Sequence, residues 1–234
     1  MNVFHAIQPG EQLWWFGMAV LLVFILFFFA FAPRLGHPQR KQWERGLGWA
    51  ILLNQLWSTA MLMLDGDYLI ARHLPLHMCS FTQVLLFLHL VMDKQWAFTL
   101  SAYWGPLGGV QAFLTPSLST PLTWAYVSQF FTAHAFVVVV PIYLMVHAGR
   151  RLPKRTFKLV MATTTTLAVM MMGVNEALGS NYMYVTTPPP VDHPLVQGDW
   201  PEYLLVMLAA VIVLFYLFTY AFRKYVGPEA SANP

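Results

Sequence analysis

The chain holds one thiol, Cys79, among a scattering of imidazoles and amides that could work beside it. Cysteine and histidine on different helices form the minimal pair for nucleophilic catalysis. The thiolate attacks an acyl carbon, and imidazole takes the thiol proton and returns it later. His134 is the candidate base. Gln111, Gln83 and Asn175 could donate hydrogen bonds to an oxyanion or orient that imidazole. Cys79 follows Pro75 near the start of a helical segment, where the helix dipole favours a thiolate. With a segment beginning at Leu74, the thiol falls past the first turn and the dipole helps only modestly. Gln83 lies one turn on from Cys79 on nearly the same face. His77 points ~200° away from Cys79 on an ideal helix, so the two share a focus only if the first turn is irregular.

The remaining chemistry is sparse. One cysteine cannot close an intrachain disulfide. No zinc spacing and no phosphate-binding glycine loop occurs, so neither a metal nor a cofactor is expected. The run Met170-Met171-Met172 reads as core packing rather than a soft metal site. His77, His73 and His193 read as solvated groups near the outer surface.

These residues need elements to hold them, and composition says which kind. Hydrophobic residues make up 58% of the 234, charged residues only 10%, and the mean hydropathy is +0.55. A soluble domain carries roughly 25% charge, so a soluble enzyme is excluded. So are collagen-like, disordered and disulfide-stapled secreted chains. Seven stretches come near the ~20 apolar residues of a helical crossing: 14–32, 47–64, 74–92, 96–114, 124–147, 157–178 and 203–222. The fold class is therefore all-α, a polytopic seven-transmembrane-helix bundle forming a single domain over residues 1–234. The first stretch lacks a basic n-region and is too long for a signal peptide, so it reads as a retained helix. Gly105-Pro106 should break the fourth helix near mid-bilayer.

Basic residues orient the bundle. Twelve of the thirteen Lys and Arg fall in the loops after the first, third and fifth stretches and in the tail; Arg72 is the exception. The positive-inside rule then places the N-terminus outside and the C-terminus in the cytoplasm. The same rule explains the sequence pI of 9.0, so no nucleic-acid partner is implied. The proline-rich segment 179–201 is too polar to span and should cap the bundle outside.

An intramembrane polar residue is a functional hypothesis by default. Cys79, Gln83, Gln111, Gln129, His134, Asn175 and Asn181 all fall between mid-bilayer and the outer surface, with His77 at the outer rim. Five segments thus contribute to one layer, read as an outward-facing polar cavity. Asn54 and Gln55 sit mid-span, and His89 sits near the cytoplasmic end.

The stretches Leu74-Pro75-Leu76-His77-Met78-Cys79-Ser80, Gly108-Gly109-Val110-Gln111-Ala112-Phe113-Leu114-Thr115-Pro116 and Asn181-Tyr182-Met183-Tyr184 resemble the YwaF-type bacterial integral membrane proteins. His134 and Gly198-Asp199-Trp200-Pro201 fit as well. The resemblance runs from Leu74 to about Tyr203. Those proteins are distantly similar to a eukaryotic transmembrane acyltransferase that moves fatty acyl chains between phospholipids with a membrane-embedded Cys and His. The resemblance implies Cys79 as nucleophile, His134 as base and a bacterial inner membrane as location. The first functional reading is a lipid-directed thiol acyltransferase or acyl hydrolase, with phospholipid as partner and with His77, Gln83, Gln111, Gln129, Asn175 and Asn181 lining the substrate site. A transporter or small-solute binding protein using the same cavity is the second. A structural partner docking through Gly108-Gly109 is the third.

Overall fold

The computed structural model describes residues 4–34, 36–189, 196 and 198–227. Its helices are α1 (Gln12–Leu26), α2 (His37–Leu64), α3 (Ile70–His73), α4 (Met78–Met92), α5 (Gln95–Gly109), α6 (Gln111–Leu114), α7 (Trp124–Val146), α8 (Thr156–Leu178) and α9 (Glu202–Ala221). Five are long and apolar enough to cross a membrane: α1 with its extension to Phe31, α2, α7, α8 and α9. Helices α4 and α5, with 15 residues each, would rise about 22 Å, less than a full hydrocarbon core. The only sheet among the described residues is a two-residue antiparallel pair, β1 (His5–Ala6) on β2 (Ser117–Leu118).

Helix α7 is the axis of the bundle. It carries a nearly unbroken buried stretch from Val137 to Met145, and α5 beside it is buried from Ala97 to Pro106. Helices α1, α8 and α9 instead expose apolar flanks such as Leu22, Val213 and Met170. Burial among helices gains little when lipid tails are as apolar as leucine, so association depends on close packing and on hydrogen bonds between helices. Both are present at the crossings.

The packing is set by glycines. A Cβ on Gly17 of α1 would lie 2.3 Å from the Phe131 ring of α7, and one on Gly48 of α2 would lie 2.8 Å from Val91 of α4. The tightest crossing joins α5 to α7. A Cβ on Gly105 would fall 2.0 Å from the carbonyl oxygen of Val137. That carbonyl is available because residue 141, four places on, is a proline inside the helix and has no N–H to give. Gly109 meets Val137 and Val138 one turn later, and Gly108 faces Met78 of α4. The glycine pair therefore packs inside the bundle, which removes the ground for a partner docking through it.

Hydrogen bonds finish the crossings. Trp104 Nε1 donates to Thr164 of α8 at 2.8 Å, Tyr103 shares a 2.7 Å bond with Thr219 of α9, and Trp14 Nε1 donates to the Phe113 carbonyl at 2.9 Å. At the end opposite Cys79, Arg150 bridges Glu44 of α2 at 3.6 Å and Asp93 after α4 at 3.7 Å.

Two sequence expectations are corrected. Pro106 does not break its helix: α5 runs through it to Gly109 and resumes at Gln111, with Val110 still right-handed at φ −62°. Gly105 and Gly109 seat this turn against Val137 of α7. The third segment also starts later than Leu74, because Leu74 is extended and α4 begins at Met78. The expected cap 179–201 is described only in part, with 190–195 and 197 outside the described residues.

Candidate functional site

The late start of α4 changes the setting of the thiol. Cys79 is the second residue of the helix and lies within its first turn, where backbone N–H groups have no partner inside the helix. The first intrahelical bond of this end runs from Phe81 N to the His77 carbonyl at 3.0 Å, and no side chain caps the turn. The N–H groups of Cys79 and Ser80 are thus aligned donors beside the sulfur. Cys79 as a residue is half-buried.

His134 comes from α7. Its Nδ1 lies 2.7 Å from the Phe130 carbonyl, and a carbonyl can only accept, so Nδ1 carries the proton. In the neutral ring Nε2 then holds a lone pair, and it has no hydrogen-bond partner among the described residues. The α5 glycines bring this turn and the thiol's turn together. Met78, next to Cys79, lies against Gly108, and the His134 carbonyl lies against Gly109. Tyr184 lies within electrostatic reach of Cys79.

The amides divide into two groups. Gln83, 3% exposed, donates from Nε2 to Gln55 Oε1 at 2.7 Å and accepts from Asn54 Nδ2 at 3.5 Å. Gln129 Nε2 donates to the Asn54 carbonyl at 3.3 Å. These four form a polar floor joining α2, α4 and α7, one turn below the thiol. By sequence, Asn54 and Gln55 sit mid-span, apart from the outer layer. Their helix is antiparallel to α4, and counting from opposite ends puts them level with Gln83. Gln111, half-buried, opens α6 where the chain leaves the glycine pair.

The second group builds a roof. Asn175 Oδ1 accepts from Tyr182 N at 2.7 Å and Ser180 Oγ at 2.8 Å, while its Nδ2 donates to the Tyr182 carbonyl at 3.0 Å. Asn181 accepts from Thr186 and Thr187. Both asparagines therefore shape the loop after α8, and their donors are aimed into it rather than at the thiol. The buried Tyr182 hydroxyl accepts from Leu74 N at 3.0 Å and donates to the Ile70 carbonyl, tying this loop to α3. The Met183 N–H points to His77 Nδ1 at 3.4 Å, and the Tyr203 hydroxyl donates to the Tyr184 carbonyl at 2.9 Å. Met183 and Tyr184 are both left-handed, with φ of 58° and 53°, a conformation that costs an L-residue roughly 1–2 kcal/mol. The Tyr182 ring meets the His77 ring edge-on at 5.2 Å, and the Tyr184 ring lies tilted against it at 5.4 Å.

A last tie, His73, closes the roof over the segment after α6. Its Nδ1 accepts from Leu69 N at 2.9 Å and its Nε2 donates to the Ser119 carbonyl at 3.3 Å. Only the neutral ring can do both. Burial holds its pKa below the usual 6.5, with Arg72 adding to the effect; the Ser119 bond and Asp67 oppose it. The unfolded chain then binds the proton more readily, so this contribution is present at neutral pH and is lost as pH falls below about 6.5. Amide exchange at Leu69 should accelerate relative to its intrinsic rate as the medium is acidified through that window. In His73→Phe the extra acceleration should vanish; an unchanged profile would show that the latch does not titrate.

An apolar groove of about 540 Å³ runs between α4, α5 and α8, lined by Phe81, Leu85, Leu88, Trp104 and Thr166 among others. It occupies the face of α4 turned away from Gln83, so it is separate from the thiol. No group of three or more His, Cys, Asp or Glu side chains that could hold a metal ion occurs among the described residues.

The model of the TMEM164 family matches residues 7–219. An uncharacterized protein of Treponema pallidum (strain Nichols) is 28% identical over 212 residues, covering 88% of this chain and 85% of that protein. No solved structure matches.

Proposed function

Since this chain belongs to the TMEM164 family, a family of integral membrane proteins, we propose that it is a lipid-directed thiol acyltransferase or acyl hydrolase. In this reading the two 15-residue helices α4 and α5 cross the bilayer beside the five longer ones, thinning it locally. The N-terminus lies outside, and the roofed site opens to the outer leaflet of a bacterial cell membrane. The resemblance of residues 74–203 to the YwaF-type proteins is what supports the bacterial inner membrane. What supports the proposal is a first-turn thiol on α4 and, on α7, an imidazole with a free Nε2 acceptor, on two helices that both pack against one glycine pair of α5.

The chemistry follows from these groups. His134 Nε2 takes the thiol proton as sulfur attacks the acyl carbon of a phospholipid ester. Negative charge gathers on the carbonyl oxygen and is met by the first-turn N–H groups of Cys79 and Ser80, with Gln111 nearby. Collapse expels the lysolipid alcohol, which takes the proton from His134 and leaves an acyl thioester. A second alcohol or water releases the acyl group by the reverse path. The polar floor of Gln83, Asn54, Gln55 and Gln129 keeps the site hydrated from below.

Solute transport loses its main support, because it relied on a helix broken at Pro106 and α5 is not broken there. The acyl-transfer reading is tested by incubating the protein in vesicles with acyl-labelled phospholipid. Peptide mass spectrometry should find the acyl mass on Cys79, and added lysophospholipid should remove it. Labelled product appearing while Cys79 stays unmodified would reject the mechanism.

A further inference from the structure

The turn Tyr182–Tyr184 carries more strain than a connection requires. Two successive residues that are not glycine hold left-handed backbone, and α8, α9 and the start of α4 each anchor the turn through Asn175, Tyr203 and His77. Strain of this kind persists where the surroundings over-determine it, and it clusters at functional sites. Its effect here is to hold the Tyr184 ring against His77, two residues from Cys79.

The hydroxyls of this region differ in one respect. Tyr182 and Tyr203 have theirs engaged by backbone groups. The Tyr184 hydroxyl has no partner among the described residues. Burial raises the Tyr184 phenol above its ordinary pKa, and the neighbouring Cys79 adds to this. The phenol is therefore protonated at neutral pH and available as a donor.

We infer that the Tyr184 hydroxyl donates a hydrogen bond to the carbonyl oxygen of the acyl substrate, stabilising the oxyanion as Cys79 attacks. The inference rests on the acyl-transfer reading above and adds a catalytic residue to it. In the step, the sulfur–carbon bond forms while the carbonyl π pair moves onto oxygen, and the thiol proton passes to His134. When the carbonyl re-forms, the carbon–oxygen bond to the alcohol breaks and the alcohol takes that proton. Tyr184 donates throughout and keeps its own proton.

The test uses full-length protein in lipid nanodiscs and two reagents. p-Nitrophenyl butyrate acylates Cys79 through a tetrahedral intermediate. Iodoacetamide alkylates it with no carbonyl attack. Tyr184→Phe keeps the ring on His77 and removes only the hydroxyl. The nitrophenolate burst should slow by about 10²-fold, while alkylation stays within twofold of wild type. Equal slowing of both reactions would place Tyr184 in thiol activation or folding and overturn the inference. So would an unchanged burst. A wild-type protein that alkylates at Cys79 but never acylates there would remove the underlying reading, and the inference with it.

Discussion

Cys79→Ala should abolish phospholipid turnover, and His134→Gln should lower it by about 10²–10⁴-fold, the usual contribution of a positioned base. Both follow from one arrangement. The thiol has no other nucleophile to replace it, since the chain has a single cysteine. The imidazole has its Nδ1 proton committed to the Phe130 carbonyl, so glutamine at 134 can fill space but cannot accept the proton. Residues that act as a unit are not additive. The double variant should therefore be scarcely slower than Cys79→Ala alone. Release of labelled fatty acid or its transfer to lysolipid in proteoliposomes gives the rates, and unchanged thermal unfolding shows that the fold is kept. Full turnover in Cys79→Ala would end the catalytic account.

The second large effect is structural. Gly105→Ala should destabilise the bundle by about 3 kcal/mol, at the upper end of ordinary overpacking, or prevent folding. The added carbon meets a backbone oxygen at 2.0 Å, and no rotamer change can move it. Relief requires α5 to separate from α7, which also shifts His134 relative to the first turn of α4, so activity should fall with stability. Gly173→Ala in α8 is the matched control, because nothing lies within 4 Å of its added carbon. Its expected change is slightly stabilising, up to about 1 kcal/mol from helix propensity. Melting of the two variants side by side decides the matter. A Gly105→Ala protein as stable as Gly173→Ala would show that the α5–α7 crossing is loose.

How much of this was legible in the sequence depends on the residue. Apolar runs gave the helical segments, because crossing length and hydropathy are local properties. The membrane-depth argument put Cys79, Gln83, Gln129 and His134 toward one end, and α4 and α7 do pack side by side. What failed depended on neighbours. Pro106 looked like a break because sequence shows the missing N–H but not the α7 surface that supports the turn. Asn175 and Asn181 looked like cavity residues because depth alone does not say whether an amide faces a cavity or its own loop. Asn54 and Gln55 became part of the floor only when the antiparallel register was known. Tyr184 had one signal, its place in Asn181-Tyr182-Met183-Tyr184, and nothing in its residue type announced a left-handed backbone.

The account depends most on the thiol and the imidazole facing the same space. His134→Cys adds a second thiol to a chain that has one, and a short bifunctional thiol reagent can then join the pair. The account predicts an intramolecular 79–134 crosslink in nearly all molecules, identified by peptide mass. Two separate mono-adducts with no crosslink would mean that the side chains point apart, and would contradict it.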